Sequence, residues 1–331
     1  MHRLFILVPL DIFGCHPLNR RRKERGVILV IAVIAGKWLG IRIPPAFCAL
    51  STRCGGEPAN GDGRQDQFGK IMLKRLFGRK EAVEAVAEDW PLVPEDSRVY
   101  AIGDVHGRLD LLDALLARIA DERARLPVGT VHLVMLGDLI DRGPHSAQVV
   151  ERLLTVPAGV DEVHLLMGNH EEALLEILDG AHSQLPGWIR YGGEQALKSY
   201  GLEDASIFGD REALVAKIHA GIPASHVRLF RSMVDYVQIG DYLFVHAGIF
   251  PGRPLDQQQV HDLRWIRDEF LEDDRDHGVM VVHGHTITPD VDCRTNRIGI
   301  DTGAYRSGVL TALVLEGKAR RFLKTGEALA A

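Results

Sequence analysis

Two rhythms alternate along residues 97 to 178. Short continuous apolar runs, Val99-Tyr100-Ala101-Ile102, Val131 to Leu136 and Val163 to Met167, read as buried strands. Between and after them, apolar residues recur at helical spacing over Leu109 to Arg125, Ala147 to Leu154 and Ala173 to Leu178. Successive strand–helix–strand units imply right-handed crossovers and a largely parallel sheet. After Gly180 the pattern predicts helices and loops, including Trp188-Ile189-Arg190-Tyr191-Gly192-Gly193 and a helix near Glu212 to Ala220. Strands return at Tyr236 to Ile239, Tyr242 to His246, Val279 to Val282, Ile298 to Ile300, Val309 to Leu315 and Arg320 to Leu323. The expected fold class is α/β: two facing mixed β-sheets sandwiched between helical layers, with strand ends gathered along one edge. Open α/β sheets bind ligands at such carboxyl ends.

The polar residues that follow these strands carry the chemistry. The first strand runs into Gly103-Asp104-Val105-His106-Gly107, the second into Gly137-Asp138-Leu139-Ile140-Asp141-Arg142-Gly143, the third into Gly168-Asn169-His170-Glu171. Two later strands end at His246 and at His283-Gly284-His285. Strand alternation points residues two apart in one direction, so Asp104 and His106 are expected to aim together. Oxygen and imidazole donors without thiolate suit Mn²⁺, Fe or Zn²⁺. His283 is expected on the far side of its turn from His285, hydrogen-bonded rather than ligating. His132, His145, His164, His182, His219, His226, His261 and His277 lack the glycine-flanked strand-end setting and are expected in solvated or core roles. Asp301-Thr302-Gly303 reads as a strand-end turn lining the site.

GDVHG, GDLIDRG, GNHE, VHAG and HGHT together resemble the five signature motifs of the calcineurin-like metallophosphoesterases, over roughly residues 97 to 323. The wording is most similar to the serine/threonine phosphoprotein phosphatase branch. The resemblance implies two divalent cations, Mn²⁺ first, held by Asp104, His106 and Asp138 and by Asp138, Asn169, His246 and His285, with Asp138 shared. It further implies that a hydroxide between the cations attacks phosphorus, that Arg142 grips the phosphoryl oxygens, and that His170, oriented by Asp141, is the general acid. Arg267 is the expected second clamp, with Arg264 three residues away as its rival. The resemblance implies an enzyme hydrolysing phosphoserine and phosphothreonine in proteins and small phosphoesters. Two alternatives stand beside it: a symmetrical diadenosine tetraphosphate hydrolase, which Asp141 disfavours, and a non-catalytic metal-bound scaffold, which the complete ligand set disfavours.

Composition narrows the setting. The 331 residues carry 46% apolar and 25% charged residues, ordinary for a globular chain. A net charge of −6 argues against a general nucleic-acid surface. That charge is uneven, since residues 1–71 hold 11 Lys and Arg against 5 Asp and Glu. The expected organisation is therefore an N-terminal extension over 1–71, disordered or non-native with Met72 as the start of translation, a leader over 72–96, and a catalytic domain over 97–331. In the extension, Arg20 to Arg25 precedes the apolar run Val27 to Ala35, which could anchor to a membrane surface but is too short to cross a bilayer needing about 20 apolar residues. Three of the four cysteines, Cys15, Cys48 and Cys54, lie in that extension and only Cys293 in the domain, so no disulfide framework is expected and a reducing, cytoplasmic setting is; the protein is separately expected to be a monomer.

Overall fold

The computed structural model describes residues 91–202 and 210–326, together with the backbone of 33–34 and 37–38. The expectations for an extension, anchor or start site within 1–71 and for a leader at 72–90 lie outside the described residues, apart from that short backbone. The chain divides into two units, Met1–Lys80 and Glu81–Ala331. In the first, β1 (Val33–Ile34) and β2 (Lys37–Trp38) pair antiparallel.

The second unit holds two five-stranded sheets. Strands β3 (Ser97–Ile102), β4 (Thr130–Met135) and β5 (Glu162–Leu165) lie parallel. Helix α1 (Leu109–Arg125) connects the first pair and α2 (Ser146–Leu153) the second, as the alternating rhythm predicts. Helix α3 (Asn169–Leu178) follows β5, and α4 (Arg211–Gly221) and α5 (Ala224–Ser232) lie beyond it in the chain. The second sheet has the order β6 (Tyr236–Ile239), β7 (Tyr242–Val245), β8 (Met280–His283), β10 (Arg297–Gly299), β9 (Asp292–Cys293). The hairpin β11 (Thr311–Glu316) and β12 (Ala319–Lys324) returns to the first sheet and adds antiparallel to β3. Each sheet is therefore mixed: β3, β4 and β5 are parallel across helical crossovers and β8 and β10 are parallel as well, whereas the hairpins β6–β7 and β11–β12 are antiparallel because a tight hairpin can only reverse direction.

Both faces of the sheets are covered, which is why the strands read as continuous apolar runs. Val99, Ala101, Val134 and Leu313 pack against Phe244, Val282 and Ile298 between the sheets. Tyr100, Ile102, Leu133 and Met135 face the other way, into a cluster with Leu112, Leu115 and Ile119 of α1. Leu243, Val245 and Val281 cover the outside of the second sheet with Leu263 and Phe270. The result is a four-layer sandwich of helix, sheet, sheet and helix, with the carboxyl ends of β3, β4, β5, β7 and β8 leading into the five polar segments.

Candidate active site

Backbone strain marks the turns that present the polar residues. Asp138, Asp141 and Arg142 have φ of 47°, 72° and 65°, and His106 has φ of 44°. Side chains rarely adopt this left-handed region, and each instance costs on the order of 1 to 3 kcal/mol unless its surroundings hold it. Asp104 and His106 lie past the last strand residue, so a left-handed turn aims them rather than the strand alternation expected from the sequence.

Glu171 holds the Asp138 turn. Its fully buried carboxylate accepts from the backbone N–H groups of Asp138 (2.9 Å), Leu139 (2.7 Å), Ile140 (3.2 Å) and Gly168 (3.2 Å). Burial and the adjacent Asp138 push its pKa up to about 8, and the backbone bonds oppose that. Four donors and no acceptor around two oxygens are satisfied by the ionised form. The GNHE motif by itself assigns Glu171 no task. Its position three residues past Gly168, at the start of a helix, is the spacing of a capping acid and was the available signal.

The Trp188 to Gly193 segment holds the next turn. Trp188 Nε1–H donates to Asp141 Oδ2 (2.8 Å), and the Gly192 carbonyl accepts from Arg142 N–H (3.0 Å). Gly192 has φ of 123°, and a Cβ there would fall 2.6 Å from the Arg142 backbone nitrogen, so the close approach needs glycine. The Arg142 guanidinium lies over Tyr305, 5.0 Å from the ring centre, and donates to His170 Nε2 (2.9 Å).

These contacts assign the His170 proton. Arginine only donates, so Nε2 accepts and Nδ1–H donates to Asp141 Oδ2 at 2.6 Å. Burial opposes a charge on His170, yet the Asp138 and Asp141 carboxylates outweigh it and its pKa lies above the ordinary histidine value. Burial draws the Asp141 carboxyl upward against its bonds from His170 and Trp188, and two N–H donors on one oxygen favour the carboxylate. A second proton on His170 requires Arg142 to release Nε2.

Asp138 stands at the centre. Its Oδ2 is 3.5 Å from His106 Nε2 and its Oδ1 is 3.5 Å from His246 Nε2, so one carboxylate faces two imidazoles in two directions. Each imidazole is turned by a carbonyl: His106 Nδ1–H donates to Ile140 (2.8 Å) and His246 Nδ1–H to Leu136 (2.7 Å). Both Nε2 lone pairs therefore point inward. Asn169 Oδ1 lies 3.0 Å from His246 Nε2 and 2.8 Å from His285 Nδ1. His106 Nε2 is buried with no hydrogen-bond partner among the described residues. Acceptor atoms converging at 3.0 to 3.5 Å with no proton between them fit a cation at their centre.

Two groups here bring ligand atoms within 4.8 Å of one another: His106, Asp138 and His170, and Asp138, His246 and His285. Asp104 is buried beside them, its carboxylate accepting from the His285 backbone N–H at 3.1 and 3.2 Å. Burial and the neighbouring Asp301 and Asp138 raise its pKa well above the usual carboxylate range. Asp301, buried with Oδ2 unpartnered among the described residues, is pushed up to about 6, first by burial. For Asp138 burial acts upward too, but the imidazoles of His246, His170, His106 and His285 outweigh it and hold the carboxyl low. A crowd of buried carboxyls that raise one another is the electrostatic complement of dications.

The remaining residues separate cleanly. Arg267 is exposed, touches Thr286 Oγ1 (3.3 Å), and lines a cleft of about 510 Å³ with Arg142, His170, Tyr191, Trp265 and His285. Arg264 is engaged elsewhere, bridging Glu172 and Asp235. His283 is buried, 3.1 Å from the Gly284 carbonyl and 3.4 Å from Arg297. Cys293 is an exposed free thiol. No helix among the described residues is long and apolar enough to cross a membrane.

Residues 97–308 match the family model for calcineurin-like phosphoesterases. Over 153 residues the chain is 33% identical to a symmetrical bis(5'-nucleosyl)-tetraphosphatase of Acidovorax ebreus (strain TPSY), covering 46% of this chain and 44% of that protein. Over 84 residues it is 40% identical to the enzyme of the same name from Psychromonas ingrahamii (strain DSM 17664 / CCUG 51855 / 37), covering 25% and 28%. The matches thus span less than half the length of these relatives. Among solved structures, a cold-active protein-tyrosine phosphatase of a psychrophilic Shewanella species aligns with TM-score 0.41 at 20% identity, over 70% of this chain and 83% of that one. A metallophosphoesterase of Sphaerobacter thermophilus aligns with TM-score 0.38 at 18%, over 69% and 87%. With the family model spanning the sandwich from its first catalytic-domain strand to the turn before β11, this chain is an enzyme of the calcineurin-like phosphoesterase family.

Proposed function

We propose that the protein hydrolyses dinucleoside polyphosphates of the diadenosine tetraphosphate class, cleaving them symmetrically. The observation that carries this reading is the composition of the cleft: two guanidinium groups, Arg142 and Arg267, stand beside the cation-suited cluster, and the aromatic faces of Tyr191 and Trp265 line the same space. A polyphosphate chain flanked by bases offers charge to the first pair and flat rings to the second. A base stacked on an aromatic side chain contributes about 1 to 3 kcal/mol. The names of the Acidovorax and Psychromonas relatives agree with this class.

In this reading Asp104, His106 and Asp138 hold one divalent cation and Asp138, Asn169, His246 and His285 a second, Mn²⁺ being the proposed ion for a set of oxygen and imidazole donors. When bound, the cations supply an activated water at neutral pH, a change from a pKa of about 15.7 to about 7, on the order of 12 kcal/mol. Arg142 leaves His170 for the phosphoryl oxygens, which match its planar fork. Its departure frees His170 Nε2 to hold a proton, which the Asp141 carboxylate stabilises through Nδ1. That proton goes to the departing phosphate oxygen.

A second reading, a phosphoprotein phosphatase, is favoured by Asp141 of GDLIDRG paired with His170 of GNHE. Diadenosine tetraphosphate and a phosphothreonine peptide assayed side by side with Mn²⁺ separate the two. A higher kcat/KM for the dinucleotide, with ADP as sole product, is expected. Preference for the peptide would reverse the assignment, and AMP with ATP would refute symmetrical cleavage.

A further inference from the structure

A second side-chain cluster lies at the opposite ends of the strands. His132 near the start of β4 and Glu162 and His164 on β5 face the same side of the sheet, because the parallel register pairs His132 with Glu162 and Val134 with His164. By strand rise this is roughly 20 Å from Asp138. His132 Nδ1, His164 Nε2 and Glu162 Oε2 lie 3.3, 3.2 and 3.7 Å apart, each measured between the same three atoms. A triangle of those sides places a point about 2.0 Å from all three corners. For tetrahedral Zn²⁺, with ligands at about 2.0 to 2.2 Å, donor–donor separations of about 3.4 Å are required. The ring centroids, 5.6 Å apart, also suit two imidazoles radiating from a shared ion, for which about 5 Å is expected.

A hydrogen-bonded arrangement places a proton on His132 Nδ1 or His164 Nε2 and joins two of the three atoms at a time, or places one on each and sets two N–H groups 3.3 Å apart; a cation engages all three ligand atoms at once. The side chains are 13%, 24% and 55% exposed for His132, His164 and Glu162, which leaves a fourth position open to water.

We infer that His132, Glu162 and His164 form a binding site for a single divalent transition cation, of the Zn²⁺ class, clamping β4 to β5 at the ends remote from the phosphoesterase centre. The inference stands on strand register and donor geometry and is separate from the substrate assigned above.

The full chain, His164→Gln and Glu162→Gln are dialysed against micromolar Zn²⁺, desalted and analysed for zinc per chain. Zinc held at the phosphoesterase centre or by thiols is common to all three and cancels. Wild type is expected to retain one more zinc than either variant, with at least about a tenfold loss of affinity in each, while hydrolysis of 4-nitrophenyl phosphate with Mn²⁺ stays equal. Should His164→Gln fail to fold, the more exposed Glu162→Gln provides the same comparison. Equal zinc content in wild type and a folded variant overturns the site.

Discussion

Replacing Asp141 by Asn isolates the contribution of one buried charge to proton transfer. Asp141 Oδ2 accepts both from His170 Nδ1–H (2.6 Å) and from Trp188 Nε1–H (2.8 Å), while Oδ1 has no partner among the described residues. An amide oxygen at the Oδ2 position keeps both bonds and removes the charge, while the amide NH2 takes the buried Oδ1 position and adds a stability cost of about 1 to 3 kcal/mol that does not depend on the His170 proton. Hydrogen bonds to charged groups contribute about 1.5 to 3 kcal/mol and neutral ones about 0.5 to 1.5, so the His170 bond weakens by about 1 to 1.5 kcal/mol. At 1.36 kcal/mol per unit this lowers the His170 pKa by roughly one unit. In the wild type that pKa is raised, burial being outweighed by Asp138 and Asp141. In the proposed mechanism the protonated form is the acid, so activity should fall as pH rises through the raised value, and in the variant it should fall about one unit earlier. The profile of kcat/KM against pH reports the free enzyme. Phenyl phosphate, whose leaving group has a pKa of about 10, should show the shift more strongly than 4-nitrophenyl phosphate, which needs less help to leave. Expected are a low-pH plateau within a few-fold of wild type and an approximately tenfold loss above both pKa values. A uniform loss at every pH, with the limb unmoved, would refute the assignment of His170 as the acid and leave Asp141 a packing role.

Three further outcomes follow from the same geometry. At saturating Mn²⁺, Asp138→Ala should abolish turnover because both proposed cations lose a ligand, whereas His170→Ala should retain a residue about 10² to 10⁴ below wild type; equal losses contradict that ranking. Arg267→Met should lower kcat/KM for diadenosine tetraphosphate by about 10- to 100-fold without changing the denaturation midpoint, whereas Arg264→Met should cost about 2 kcal/mol of stability by stranding Glu172 and Asp235, less than the 3 to 5 of a fully buried pair since all three are partly exposed; kinetics and urea titration of both would expose a reversed pattern. Finally, burial first and then the bond to Glu122 push the Tyr100 phenol up to about 12 from 10. A folded pKa raised in this way means stability present below pH 10 and lost as pH climbs toward 12, on the order of 3 kcal/mol, and urea midpoints across that window should fall less steeply in Tyr100→Phe.

Much of the fold and the site is written locally. Strand and helix rhythm places α1 at Leu109–Arg125 and β6 at Tyr236–Ile239 without adjustment, since burial on both faces makes a strand uniformly apolar whatever its partner. Asp104, His106, Asp138, Asn169, His246 and His285 stand out because a glycine and a metal-competent donor recur after successive strands, a feature confined to a few residues each time. Contacts between distant segments carry the rest. Glu171 reaches back 33 residues to the Asp138 turn, Trp188 reaches 47 to Asp141, and the His285 backbone reaches 181 to Asp104; no periodicity encodes these. Arg264 and Arg267 are indistinguishable by type and spacing, and only the positions of Glu172 and Asp235 occupy the one and leave the other in the cleft. His132 and His164 have no motif around them, yet the β4–β5 register brings their nitrogens within 3.3 Å. Residue chemistry and local period are properties of the chain read in order, whereas distance across a sheet depends on register and crossover, which arise only once the two sheets have packed.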